Sequence, residues 1–185
     1  MSADQPADKD ESRLLSQLRE VDAALRKVHV PFALIGGVAV NAHGFLRATH
    51  DLDILVLAEN DDALHIAVSA LGYETLNRRP DISSYVRPPL RLDVLHARRP
   101  ITRNLLARAA PVNFRDIQIR VISVEGLIGL KIQAFNDDPR RIRDLDDMIQ
   151  LLKINRDGLN LDEVRAYFRL FDRETLLDDI LRALG

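Results

Sequence analysis

The segment IGGVAVNAHGFLRATHDLDILV, residues 35–56, sets two glycines after an apolar run and two aspartates, Asp51 and Asp53, at the head of another. Residues 30–36 (VPFALIG) read as a buried strand opened by proline and closed by glycine, and residues 37–45 as a short helix ending near Gly44. Residues 52–57, apolar and β-branched, read as a second strand. Residues i and i+2 of a strand share a face, so Asp51 and Asp53 project together while Leu52 and Ile54 point the other way.

Two carboxylates side by side repel unless a cation lies between them. A hard divalent cation such as Mg²⁺ (or Mn²⁺) takes carboxylate oxygens and completes its shell with water and substrate phosphates. Asp93 stands mid-strand in LRLDVLH, and it joins the pair if that strand lies beside residues 52–57. Gly36 and Gly37 let backbone N–H groups approach a ligand where a strand passes into a helix, a setting that suits a phosphate. Arg47 and Thr49 lie between the two elements, within reach of the same phosphate oxygens. Each piece also has a plainer reading. Gly-Gly serves in turns, Asp51 as a cap, and Asp93 as a carboxylate satisfied by Arg91 or Arg87.

Outward from this segment, 185 residues suffice for one domain with a helical appendage. A formal net charge of −2 makes no global case for nucleic-acid binding. Two arginine clusters, Arg98/Arg99/Arg103/Arg108 and Arg140/Arg141/Arg143, are local exceptions whose simplest reading is a solvated surface. The absence of cysteine excludes disulfides, thiolate metal sites and a cysteine nucleophile. No apolar run approaches the roughly 18–20 residues of a membrane span, and the start is too polar for a secretory signal, so no membrane association and a cytoplasmic location are expected. None of the five histidines has metal-site spacing, and His50, beside the aspartate pair, reads as a loop residue.

The remaining periodicity predicts helices over 12–28, 61–71 and 101–109 and extended runs over 73–76, 82–86, 90–95, 112–114 and 117–122. Helices are then expected over 124–135, 140–153, 161–171 and 173–184. The fold class is therefore α/β (α+β), a mixed sheet flanked by helices and followed by a small C-terminal helical bundle. The expected organisation is a disordered lead-in over 1–11, a core over 12–122 and a helical region over 123–185 packed on that core.

The order Gly36-Gly37, short helix, Asp51-Leu52-Asp53, then Asp93 resembles the nucleotidyltransferase superfamily, with its DNA polymerase β-like fold. The surrounding GFLRATHDLDILV is similar to the bacterial branch holding AbiEii-type toxins and small antibiotic nucleotidyltransferases, in which an Arg and a Thr commonly precede the aspartates, as Arg47 and Thr49 do. That branch carries a helix with a lysine and then a Lys/Arg-Asp-x-x-Asp helix, for which SVEGLIGLKIQAF offers Lys131 and RDLDDMIQLL offers Asp144 and Asp147. Spacing agrees independently. Lys131 falls in the stripe of Leu127, Ile128, Ala134 and Phe135, and Asp144 lies one turn before Met148, so both charges face inward. The two face each other as a buried ion pair fixing helix register, or as a lysine reaching a triphosphate with its orienting carboxylate.

The resemblance implies transfer of a nucleoside monophosphate from a nucleoside triphosphate (NTP) to an acceptor hydroxyl, with Mg²⁺ and release of pyrophosphate. It implies Asp51, Asp53 and Asp93 as catalytic and metal-binding residues. It implies Gly36, Gly37, Arg47, Thr49, Lys131 and Asp144 as nucleotide- and phosphate-binding residues. The acceptor is a tRNA, a protein or a small molecule, and the toxin branch implies an antitoxin partner. The alternatives are an antibiotic-type enzyme, or a non-catalytic nucleotide-binding or interaction module of the same fold.

Overall fold

The computed structural model describes residues 6–185, and it divides into two compact units, one of residues up to Ala39 with Arg47–Ile122, the other of Val40–Leu46 with Ser123–Gly185. The first unit is built on a mixed seven-stranded sheet. Its strands are β1 (Phe32–Leu34), β2 (Asp51–Leu57), β3 (Glu74–Arg78), β4 (Ile82–Arg87), β5 (Leu90–Ala97), β6 (Ala110–Phe114) and β7 (Ile117–Val121), in the spatial order β3-β4-β5-β2-β1-β7-β6. Central β2 runs antiparallel to β1 and parallel to β5. Leu52, Ile54, Leu55 and Val56 are all shut off from solvent, so both faces of β2 are covered beyond its first turn of pleat. At the N-terminal end of β2, Asp51 and Asp53 escape full burial, as does Leu57 at the other end. Pro111 sits on the edge strand β6, where a missing N–H is tolerated.

Helix α1 (Pro6–Lys27) lays Leu14, Leu18, Val21 and Leu25 into the core and packs on β2, β5 and α3 (Asp61–Ala70). Helix α2 (Gly36–Ala42) joins β1 to the chain leading into β2, and α4 (Pro100–Arg108) packs on β2 and β5 with Pro100 in its first turn. The expected lead-in over 1–11 lies outside the described residues as far as residue 5. From Pro6 it is already helix α1, since a proline's fixed φ suits a first helical turn.

In the second unit the helices are α5 (Val124–Asp137), α6 (Ile142–Ile154), α7 (Leu161–Arg169) and α8 (Glu174–Leu184). Ser123 caps α5 by accepting from the Gly126 N–H at 3.1 Å, and Asn160 caps α7 by accepting from the Glu163 N–H at 3.1 Å. The core gathers Leu127, Ile128, Ile132, Met148, Leu151, Val164, Phe168 and Leu177. Gly129 costs α5 helical propensity, but a Cβ there would lie 2.8–3.0 Å from three ring atoms of Tyr167, so the glycine lets α7 approach α5. Val40–Leu46 belongs here too. Gly44, at φ +100, faces Ile154, and the His43 carbonyl accepts from Asn155 Nδ2 at 3.4 Å.

Candidate active site

Parallel pairing of β2 with β5 aligns Asp51 with Arg91 and Asp53 with Asp93. In-register partners on neighbouring strands project from the same face, so Asp51, Asp53, Arg91 and Asp93 form one charged group on the sheet. Asp51 is exposed, and Asp53 and Asp93 are half-buried. Asp93 Oδ2 accepts from Arg91 Nε at 3.0 Å, whereas Asp93 Oδ1 is buried with no hydrogen-bond partner in the structure. An acceptor withdrawn from water and given no donor is costly. The hydrogen bond to Asp93, the charge of Asp93, and the charges of Asp51 and Asp53 hold the Arg91 guanidinium more firmly protonated than usual, against a smaller opposing effect of burial.

The glycines meet this group directly. Gly36 adopts φ +63, and a Cβ there would fall inside the Asp53 carboxylate and 2.6 Å from Asp53 Cβ. The Ile35 N–H donates to the Asp53 carbonyl at 3.1 Å, tying the start of α2 to β2. A Cβ on Gly37 would overlap Thr49 Oγ1, and would stand 2.8 Å from Thr49 Cβ and 3.3 Å from Arg47 Nη1. Arg47 Nη1 also donates to the Ala48 carbonyl at 3.1 Å. Two contacts therefore require two glycines: the first lies against a carboxylate, the second against the Thr49 hydroxyl and the Arg47 guanidinium.

The seven candidates of the first unit thus fall into linked sets, Gly36 with Asp53, Asp53 with Asp93, Asp51 with Arg91, and Gly37 with Thr49 and Arg47. Among the described residues no three His, Asp or Glu side chains converge closely enough to form a ready metal site. Arg91 already claims one oxygen of Asp93. The donor chemistry is nevertheless that of a hard cation, because all three side chains offer carboxylate oxygens and Asp93 Oδ1 lacks a partner.

Lys131 and Asp144 belong to the second unit. Lys131 Nζ lies 2.7 Å from Asp144 Oδ1 and 2.6 Å from Asp147 Oδ2, and Arg141 Nε binds the other oxygen of Asp144. The Lys131 and Asp144 side chains are over nine-tenths buried, and that of Asp147 is entirely so. Burial alone would raise the Asp144 pKa, but the charges and hydrogen bonds of Lys131 and Arg141 outweigh it and leave the carboxyl below its ordinary value. Both halves of the ion-pair expectation are present, with Asp147 as a second acceptor.

Several polar residues escaped the reading of the sequence. Gln17 of α1, fully buried, donates Nε2 to the Arg91 carbonyl at 2.8 Å and so fixes the β5 backbone beneath the charged group. His96 is buried with Nε2 2.9 Å from Ser83 Oγ and 3.3 Å from Asp61 Oδ1. Its place on the face of Leu92 and Val94 was the available signal. Arg87, the other partner considered for Asp93, instead binds Glu20 and the Leu71 carbonyl and covers the Tyr73 ring.

Comparison with known proteins supplies the remaining findings. A family model described as "Nucleotidyl transferase AbiEii toxin, Type IV TA system" matches residues 70–183, and one described as "Aminoglycoside-2''-adenylyltransferase" matches residues 17–97. No curated protein matches the chain in sequence. Among solved structures, ANT(2'')-Ia in complex with adenylyl-2''-tobramycin is 16% identical with a TM-score of 0.71, covering 86% of this chain and 97% of that one. The lincosamide antibiotic adenylyltransferase LnuA, lincomycin-bound, is 18% identical with a TM-score of 0.55, covering 79% and 96%. A nucleotidyltransferase from Thermotoga maritima is 16% identical with a TM-score of 0.51, covering 76% and 93%. At these identities the likeness is one of fold, the nucleotidyltransferase fold.

Proposed function

Because this chain belongs to the AbiEii family of nucleotidyl transferases, we propose that it moves a nucleoside monophosphate from an NTP to an acceptor hydroxyl and releases pyrophosphate. The observation that carries the reading is the register of Asp53 with Asp93 on adjacent parallel strands, with the Gly36 backbone laid against the Asp53 carboxylate. Bound to Asp51, Asp53 and Asp93, Mg²⁺ or Mn²⁺ would supply charge neutralisation at the triphosphate oxygens. Asp93 is the carboxylate suited to receive the acceptor's proton. Arg47 and Thr49, seated on Gly37, are suited to orient phosphate oxygens. For Lys131, engagement by Asp144 and Asp147 supports a role in fixing α5 to α6 over direct contact with phosphate.

The acceptor we propose is a small hydroxylic molecule. An RNA acceptor calls for arginines available to phosphates. Of the seven clustered arginines at least four are already engaged, Arg98 by the Pro80 carbonyl, Arg103 by Glu59, Arg140 by Asp138 and Arg141 by Asp144. The antibiotic-bound relatives ANT(2'')-Ia and LnuA support the same choice. The competing reading, a toxin that modifies tRNA and is restrained by an antitoxin, draws on the family's description.

The test is transfer of label from each of the four α-labelled NTPs, with Mg²⁺ or Mn²⁺, to aminoglycosides, lincosamides or total tRNA. The expected result is a labelled small molecule, with a loss on the order of 10³-fold in Asp53→Asn. Labelled tRNA alone would replace the small-molecule reading with the toxin one. Undiminished transfer by Asp53→Asn would sink the assignment of the site.

A further inference from the structure

We infer that Arg91 is a built-in counter-cation, holding the aspartate group in a resting state that a divalent metal must displace. The inference rests on the proposed metal–nucleotide reading of the site and adds a competitor to it.

Arg91 stands opposite Asp51 in the β2–β5 register and two residues before Asp93, so its guanidinium shares a face with all three carboxylates. Its Nε donates to Asp93 Oδ2 at 3.0 Å, and Asp51 and Asp53 act on the same charge. Three carboxylates beside one guanidinium leave less negative charge to attract a metal than three carboxylates alone. One oxygen that a metal would take is already used. Arg91 is built to leave: its side chain is about half exposed (47%), while its backbone carbonyl is fastened by fully buried Gln17. The side chain can therefore swing into solvent with β5 unmoved. A guanidinium released in this way carries its charge to the edge of a site meant for a triphosphate, where it can pair bidentately with phosphate oxygens.

The test is Mn²⁺ binding to the nucleotide-free protein, by calorimetry and by the electron-spin signal of free Mn²⁺, for wild type, Arg91→Gln, Arg91→Lys and Asp53→Asn. Arg91→Gln should bind Mn²⁺ about tenfold tighter than wild type, with Arg91→Lys close to wild type. The difference should shrink as salt is raised. On wild type itself, the Arg91 Nε–H resonance, assigned by its absence in Arg91→Lys, should lose its hydrogen-bonded shift on titration with Mg²⁺, and should not do so in Asp53→Asn. That second measurement decides the matter if Arg91→Gln does not fold.

Mn²⁺ binding that needs Asp53 but is equal or weaker in Arg91→Gln would overturn this inference and leave the metal reading standing. So would an unmoved Arg91 resonance in a protein that binds Mg²⁺. Absence of Mn²⁺ binding in every variant would overturn both.

Discussion

Replacing Lys131 by methionine keeps an unbranched apolar stem, one atom shorter, and removes the ammonium. That ammonium stands 2.7 Å from Asp144 and 2.6 Å from Asp147, in a cluster where all three side chains are over nine-tenths buried. Breaking a buried pair from one side costs roughly 3–5 kcal/mol, because the partner charge stays behind. Arg141 still serves Asp144, so the lower end of that range, about 3 kcal/mol, is expected. For a chain of this size each kcal/mol corresponds to about 2–4 °C, giving a fall in Tm of roughly 6–12 °C. Circular dichroism during thermal and urea unfolding at neutral pH measures it. Adding Asp147→Asn should recover more than half of the loss, since the abandoned carboxylate is then neutral. Acid should erode the same contribution. The folded pKa of Asp144 lies below its unfolded value, so its stabilisation is full above the ordinary carboxylate range and is lost as pH falls through the folded value. A Lys131→Met protein within about 1 kcal/mol of wild type would refute the reasoning. If it also lost transfer activity, Lys131 would be restored as a phosphate ligand.

Gly36→Ala places a Cβ inside the Asp53 carboxylate at a backbone of φ +63. It should cost about 1–2 kcal/mol from φ alone and abolish any thermal shift with NTP and metal; a normal shift would dismiss the Gly36–Asp53 contact as functional. Buried His96 is held below its ordinary pKa chiefly by desolvation, against the pull of Asp61. The folded state therefore binds fewer protons, and stability should be full above about pH 6.5 and decline below it. His96→Gln should flatten the dependence of the urea midpoint on pH between 5 and 7, and an unchanged slope would contradict this. Gly129→Ala gains about 1 kcal/mol of helix propensity but drives a methyl into the Tyr167 ring. Overpacking of about 1–3 kcal/mol should leave a net loss, which urea unfolding would read; a stabilised variant would mean that the ring moves aside freely.

The strands that hold the aspartates were legible because their cores are apolar and β-branched, and Lys131 was legible as inward-facing because it falls in a helical stripe. The pairing of β2 with β5 was stated as a condition, and rightly so. Nothing local in either strand specifies that Asp53 meets Asp93, since a parallel neighbour is chosen by the path of the chain between them. The same limit applies to Asp93 and its partner. Arg87 and Arg91 were both candidates, and in the fold Glu20 and Tyr73 draw Arg87 away. That Gly36 must lack a side chain because of Asp53, and Gly129 because of Tyr167, depends on contacts across 17 and 38 residues. Those contacts exist only once the chain is folded. His96 was a missed opportunity, since alternation along β5 already put it among Leu92 and Val94.

The excursion of Val40–Leu46 into the second unit bears on how this chain can be cut. A fragment ending at Ile122 would keep every glycine and aspartate of the candidate site, yet the stretch between Gly37 and Asp51 would lose its anchors at Ile154 and Asn155. That stretch is not slack chain between two halves of a motif. It is a stitch that passes through the other unit and returns. Deletion from the C-terminus should therefore be felt first at a loop that precedes the cut by some eighty residues.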